Sequence, residues 1–379
     1  MEGILIKSIK IIIAIIISTF LFQISSLAVT DTAASSVVIN ADTFEILYQN
    51  DAFTKRSMAS TTKIMTALLL AESGRLDEII CCTADMVTVE GSSMGLKAGD
   101  YISARDLLYG ILLMSGNDAA NVCAHFLAGS TEGFAILMNS KAAELGLAST
   151  NFVTPSGLDA ESHYTTAYDL AVLTAYALKN EEFAKACSSY TATVQFGDPM
   201  VKYTITNHNR LLKTYDGCIG VKTGFTKKSG RCLVTAARRD TATVIAVTLN
   251  DPNDWRDHRS LLDYGFAQLD ERLFLSETDL KIAVIGGEKK TIGVSFDKIK
   301  INCLDKNKEN FDIQVSLPEY LFAPIKKGDV VGRVSIVFNG LTVTEHNIYA
   351  EEDIFCKKQT EKSFSDKIIE FIILMLKSF

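Results

Sequence analysis

The sequence predicts an α/β fold of the α+β kind: one antiparallel sheet flanked by helices, then a small all-β domain and a C-terminal amphipathic helix. Three observations predict it. Period-two strand patterns appear near Ser36 and again from Tyr190, with helical patterns filling the interval, so the outer strands must meet across a helical middle. Beyond Leu275 the pattern becomes short strands joined by polar turns, and residues 358–379 are rich in Ile, Leu and Phe. A chain of 379 residues exceeds one average domain, and 47% hydrophobic residues support a substantial core.

Residues 1–28 read as an export signal. Lys7 and Lys10 precede the apolar run Ile11–Ile17, and Ser26-Leu27-Ala28 supplies the small residues a signal peptidase requires. A retained membrane anchor is the alternative, and either way the domain over 29–270 lies outside the cytoplasm. The net charge of -7, without a lysine/arginine block, argues against nucleic acid as a partner. The eight cysteines include an adjacent pair, Cys81-Cys82, and four in apolar stretches, so they read as buried free thiols rather than a disulfide framework. With no C-x-x-C or H-E-x-x-H and only five scattered histidines, no metal or cofactor is implied and no histidine receives a role.

Along the chain, Ser36–Ile39 and Glu45–Tyr48 read as a hairpin, followed by a helix running from Ser60 to the Glu72-Ser73-Gly74 stop. Ser103-Ala104-Arg105-Asp106 resembles a capping box that opens the next helix. Ser115-Gly116-Asn117-Asp118 breaks that helix, with Asp118 expected to cap the following one. Helical patterns continue over 119–127, 131–145 and 166–178, then strands over 191–196, 201–206, 218–226, 232–237 and 244–249, and a closing helix over 255–266. The small β domain is expected over 275–352, with Asn339-Gly340 as a hairpin turn. The final segment, 358–379, is too short for a comfortable span and reads as an interfacial anchor, the alternative being a helix docked on the protein itself.

Chemistry concentrates in three short motifs. In Ser60-Thr61-Thr62-Lys63 the serine and lysine share one helical face, so Lys63 Nζ can reach Ser60 Oγ. A serine needs a neighbouring base, and lysine serves only when desolvation or a nearby cation keeps it neutral. The second motif is Ser115-Gly116-Asn117 and the third Lys222-Thr223-Gly224. In this order, on a helix start, an interhelical loop and a strand, they resemble the S-x-x-K, S-x-N and K-T-G elements of the penicillin-recognising serine enzymes. Flanking sequence narrows the resemblance to low-molecular-mass penicillin-binding proteins acting as D-alanyl-D-alanine carboxypeptidases. It extends over nearly the whole mature chain, because those enzymes also append a β-rich domain and an amphipathic anchor.

The resemblance implies a β-lactamase/transpeptidase-like domain and a set of roles. Ser60 would attack the penultimate D-alanine carbonyl and Lys63 would be the base. Ser115 would relay a proton to the leaving amine, and Asn117 would hydrogen-bond the substrate amide. Lys222 would lower the pKa of Lys63 and attract the substrate carboxylate, which Thr223 would also bind. Gly224 would let the backbone approach, and the N–H groups of Ser60 and Phe225 would form the oxyanion hole. Arg256, with Arg259 second, is the arginine expected at the carboxylate. Implied partners are peptidoglycan stem peptides ending in D-Ala-D-Ala, β-lactams as covalent inhibitors, and a membrane surface on the extracytoplasmic side of a bacterial cell. A class A β-lactamase is disfavoured, because Glu161-Ser162-His163-Tyr164-Thr165 does not reproduce its deacylating Glu-Asn loop. DD-endopeptidase action and a β-lactam sensor without turnover remain alternatives.

Overall fold

The computed structural model describes residues 29–275, 280–358 and 364–377; the expected export signal lies outside them. The chain divides into two units, with the boundary between Leu269 and Asp270.

In the first unit, strands β1 (Ser35–Asn40) and β2 (Ile46–Asn50) form the expected hairpin. Helix α1 (Lys63–Glu72) follows a 3-10 turn over Ala59–Thr62. It buries Ile64, Met65, Ala67, Leu68 and Leu70 completely, so it is a core helix and not a surface one. Two three-residue strands, β3 (Ile79–Cys81) and β4 (Tyr101–Ser103), precede α2 (Ala104–Leu113). Ser103 caps α2 by accepting from Asp106 N at 3.0 Å, as its sequence suggested. The helical middle continues with α3 (Asn117–Ala128), α4 (Thr131–Glu144), α5 (Ala167–Ala177) and α6 (Glu181–Ser188).

Strands β5 (Thr191–Gly197) and β6 (Met200–Thr206) pair as a hairpin, but they do not join the main sheet. They complete a separate four-stranded sheet in the order β3-β4-β5-β6. The sequence suggested one sheet because β3 and β4 are too short to show a period. The main sheet adds β7 (Cys218–Thr226), β8 (Gly230–Arg239) and β9 (Ala242–Leu249), in the order β2-β1-β9-β8-β7. All its pairings are antiparallel.

Strand β9 is central and every one of its eight residues is buried, which requires cover on both faces. Val37, Ile39, Ile245 and Val247 join the core shared with the helical middle. On the other face Gly265 of α7 (Asp254–Gln268) comes so close that a Cβ there would stand 2.8 Å from Val38 and Val244. His258 of α7 is fully buried between Thr235 and Thr248, with ring-nitrogen to hydroxyl distances of 2.5 and 2.9 Å. All eight cysteines are free thiols, five of them buried, Cys218 half-buried, and Cys81 and Cys356 exposed.

The second unit starts earlier than the β pattern suggested, at β10 (Asp270–Leu275). Next come β11 (Lys281–Ile285), β12 (Thr291–Ser295), β13 (Ile299–Cys303), β14 (Phe311–Ser316) and β15 (Tyr320–Phe322). Strands β16 (Val330–Phe338) and β17 (Leu341–Ala350) are joined by Asn339-Gly340, both at positive φ as a tight hairpin demands. Six strands form one sheet, β14-β16-β17-β12-β11-β15, and β10 pairs with β13. Alternation along β11 and β12 buries Ile282, Val284, Ile292 and Val294 against Val334, Ile336 and Ile348. Helix α8 (Phe364–Leu376) closes the described chain, and among the described residues no helix is long and apolar enough to cross a membrane.

Candidate active site

The site is built on the 3-10 turn that introduces α1. Its geometry depends on a glycine one loop away: a Cβ on Gly157 would lie 1.9 Å from Ala59 O, and the residue sits at φ +82°. Only glycine fits both demands. Thr62 Oγ1 lies 2.8 Å from Ala59 O and 2.8 Å from His163 Nε2. His163 Nδ1 accepts from Val153 N at 2.9 Å, so Nε2 carries the proton and donates to Thr62. Burial holds His163 neutral, lowering its pKa to about 4. This chain of bonds fixes the turn that presents Ser60, a role the sequence left unassigned.

Lys63 is 0% exposed, and its Nζ lies 3.1 Å from Ser60 Oγ, 2.7 Å from Asn117 Oδ1 and 2.7 Å from Ser156 O. Burial is the main cause holding its pKa well below 10.5, and the Lys222 charge pushes it the same way against the opposing pull of Asp118. A neutral amine so placed can donate to Asn117 and Ser156 while its lone pair takes the Ser60 proton.

The second motif sits in the loop between α2 and α3. Ser115 takes the left-handed conformation, φ 58°, and is 4% exposed. Asn117 N donates to Ser92 O at 2.7 Å and Nδ2 to Glu90 O at 2.6 Å, which aims Oδ1 at Lys63. Asp118 is not the helix cap the sequence suggested; the cap is Gly116, two residues earlier, and α3 starts at Asn117. Its buried carboxylate instead gathers the N–H groups of Met94, Gly95 and Leu96 and the Ser93 hydroxyl, at 3.0, 3.0, 3.1 and 2.5 Å. It thereby pins the 90s loop beside Asn117.

The third motif lies on β7, the edge strand of the main sheet. Lys222 is 1% exposed; burial lowers its pKa to about 7, and Nζ donates to Thr223 O at 2.8 Å. A Cβ on Gly224 would stand 3.0 Å from Ser60 N and 3.1 Å from Thr61 N, so the glycine lets β7 lie against the serine's own backbone. The exposed Phe225 follows.

An open cleft of about 450 Å³ runs along this strand, lined by Thr223, Gly224, Phe225, Tyr190, His208, Arg210, Arg231, Asp254 and Trp255. Arg231 is engaged by Asp254 through two bonds, 3.0 and 2.9 Å. Arg210 approaches the Trp255 ring at 5.9 Å. The arginines expected here are placed elsewhere. Arg256 is 66% exposed and tied to Asp257 at 2.8 Å, and Arg259 donates to Thr214 O. Both lie in α7, whose first turn directs Asp254 and Trp255 toward the cleft.

Known proteins resemble this chain over most of its length. Residues 23–253 match the D-alanyl-D-alanine carboxypeptidase family and residues 274–355 the penicillin-binding protein 5 C-terminal domain. The chain is 32% identical over 335 residues to the D-alanyl-D-alanine carboxypeptidase DacF of Bacillus subtilis, covering 85% of this chain and 86% of that one. Among solved structures, penicillin binding protein 5 of Haemophilus influenzae aligns with a TM-score of 0.63 at 26% identity, over 86% of this chain and 98% of that one. A point mutant of the Streptomyces K15 DD-transpeptidase aligns at 0.60 and 34% identity, over 63% and 99%. The transpeptidase-like architecture expected of the first unit is thereby the one found. With matched segments covering most of its length, the chain belongs to the D-alanyl-D-alanine carboxypeptidase family.

Proposed function

We propose that this chain is a serine-type D-Ala-D-Ala carboxypeptidase that removes the terminal D-alanine from peptidoglycan stem peptides through an acyl-enzyme on Ser60. The observation that carries this is the fully buried Lys63 within hydrogen-bond reach of Ser60. Neutral Lys63 takes the Ser60 proton as Oγ attacks the penultimate D-alanine carbonyl. The N–H groups of Ser60 and Phe225 receive the oxyanion, a pairing supported by the contact of Gly224 with Ser60 N. The C–N bond breaks as Ser115 gives its hydroxyl proton to the departing D-alanine amine and takes the proton held by Lys63, and water then hydrolyses the ester with Lys63 again neutral. Asn117 binds the substrate amide, and an extended peptide can add to the free edge of β7.

At the carboxylate end, Lys222 and Thr223 are joined by Arg210 rather than Arg256, since Arg210 lines the cleft while Asp254 neutralises Arg231. β-Lactams acylate the same Ser60 oxygen. The enzyme works at the extracytoplasmic face of the cell membrane, delivered by the export signal and held by α8.

The full chain, mixed with a peptide ending in Lys-D-Ala-D-Ala, is expected to release D-alanine in a penicillin-sensitive manner, and Ser60→Ala to release none. Release that persists in Ser60→Ala, or penicillin labelling of Ser60 without any release, defeats the proposal.

A further inference from the structure

Large apolar side chains pointing outward from a sheet edge call for a second surface to cover them. Strand β15 is such an edge. It pairs in parallel with β11, setting Phe322 beside Ile285 and Tyr320 beside Ala283. Val284 turns inward at 9% exposed, whereas Ile285, Tyr320 and Phe322 are 46%, 45% and 66% exposed. The Tyr320 and Phe322 rings meet edge to face, their centroids 5.5 Å apart.

The chain runs on toward α8 from this same corner. After β17, Glu288 N donates to Phe355 O at 3.0 Å and Lys357 N to Gly286 O at 2.8 Å, and Phe355 is 62% exposed. Only six positions separate Lys358 from the start of α8 at Phe364, a tether of at most roughly 20 Å. In α8, Ile368, Ile369 and Phe371 through Leu376 are each at least 43% exposed. A helix of this length extends only about 20 Å, which suits the plane of a lipid interface and not a span.

We propose that the β11–β15 corner, formed by Ile285, Tyr320, Phe322 and Phe355, is a second lipid-contact surface that rests on the bilayer headgroup region beside α8. The proposal rests on reading α8 as an interfacial helix. Aromatic rings favour the headgroup level, and the exposed Lys326, Lys327, Lys357 and Lys358 can reach lipid phosphates from the same corner. Glu288, Glu319, Glu352 and Asp353 are also exposed or half-exposed there, so ring insertion and not net charge carries the contact. Two contact points fix how the second unit stands on the surface, where a single tethered helix leaves it free to swivel.

The test places a reporter at each contact in the full chain. Phe322→Trp and, separately, Phe371→Trp are mixed with phosphatidylcholine–phosphatidylglycerol vesicles carrying brominated acyl chains, the emission of Trp255, the one native tryptophan, being subtracted. Loss of emission at both positions is expected. The double variant Phe322→Ser with Phe355→Ser should lower vesicle partitioning roughly tenfold or more, with penicillin labelling of Ser60 in solution unchanged. Quenching at 371 alone overturns the second contact and leaves the α8 reading intact. Quenching at neither position overturns both, and quenching at 322 alone rejects the α8 reading and with it the paired contact proposed here.

Discussion

Lys63 Nζ lies 3.1 Å from Ser60 Oγ, one helical turn along the chain, in a pocket from which solvent is wholly excluded around the lysine. Burial lowers the lysine's affinity for a proton, and spacing puts the resulting base on the serine. Replacing Lys63 by Met keeps the volume and apolar contacts but removes the base. Penicillin acylation of Lys63→Met is expected to slow by roughly 10²–10⁴-fold, with Tm near the parent value, as read by stopped-flow labelling and calorimetry.

The two lysines give the pH profile opposite limbs. In the proposed mechanism Lys63 acts when neutral, so kcat/KM is expected to climb with pH as it loses its proton. Lys222, with its pKa at about 7, is cationic below that pH and neutral above it. For a peptide with a free C-terminal carboxylate, kcat/KM should therefore fall as pH rises past 7. Lys222→Met should lower the peak and abolish that alkaline fall, which a pH-rate series measures directly.

Gly224 borders backbone, not a flexible side chain, so an added methyl forces β7 and the Ser60 turn apart. Gly224→Ala is expected to cost roughly 10²-fold in kcat/KM, the scale of one lost oxyanion donor. A folded variant with parental kinetics would show that the contact is dispensable.

Arg210 and Arg256 should separate cleanly. Arg210→Ala removes the charged hydrogen bond proposed for the substrate carboxylate, worth about 1.5–3 kcal/mol, so kcat/KM should fall by roughly 10–100-fold. Arg256→Ala, on an exposed side chain held by Asp257, should change kcat/KM little.

Acid should destabilise the first unit through His258. Its folded pKa, lowered by burial to about 3, lies below the ordinary 6.5, so the unfolded chain binds more protons between those values. The stabilising contribution is full above pH 6.5 and is lost as pH falls toward 3. Tm should drop across that window, and His258→Leu should flatten the slope while lowering Tm at neutral pH, because Thr235 and Thr248 lose their partner.

Much of this molecule was legible in local sequence. The Ser60–Lys63 contact follows from i,i+3 spacing, the Ser103 cap from its motif, and β9 from the strand-like composition of Val244–Leu249. What stayed hidden depends on tertiary placement. Asp118 looked like a cap because an acidic residue follows a break, yet its partners are amides some 22–24 residues away. His163 carried no signal, since its role arises from a bond to Thr62 across 101 residues. Arg256 lies in the first turn of α7, yet only its neighbours Asp254 and Trp255 line the cleft, and one-dimensional order does not show which side a residue faces. β3 and β4 were too short to display a period, and their absence from the pattern hid the second sheet.

The central claim is that Ser60 is the nucleophile. Intact-mass analysis after brief exposure of the full chain to benzylpenicillin, followed by peptide mapping, tests it most directly. One covalent equivalent is expected, confined to the peptide carrying Ser60 and absent from Ser60→Ala. An adduct on another residue, or labelling retained in Ser60→Ala, would contradict it.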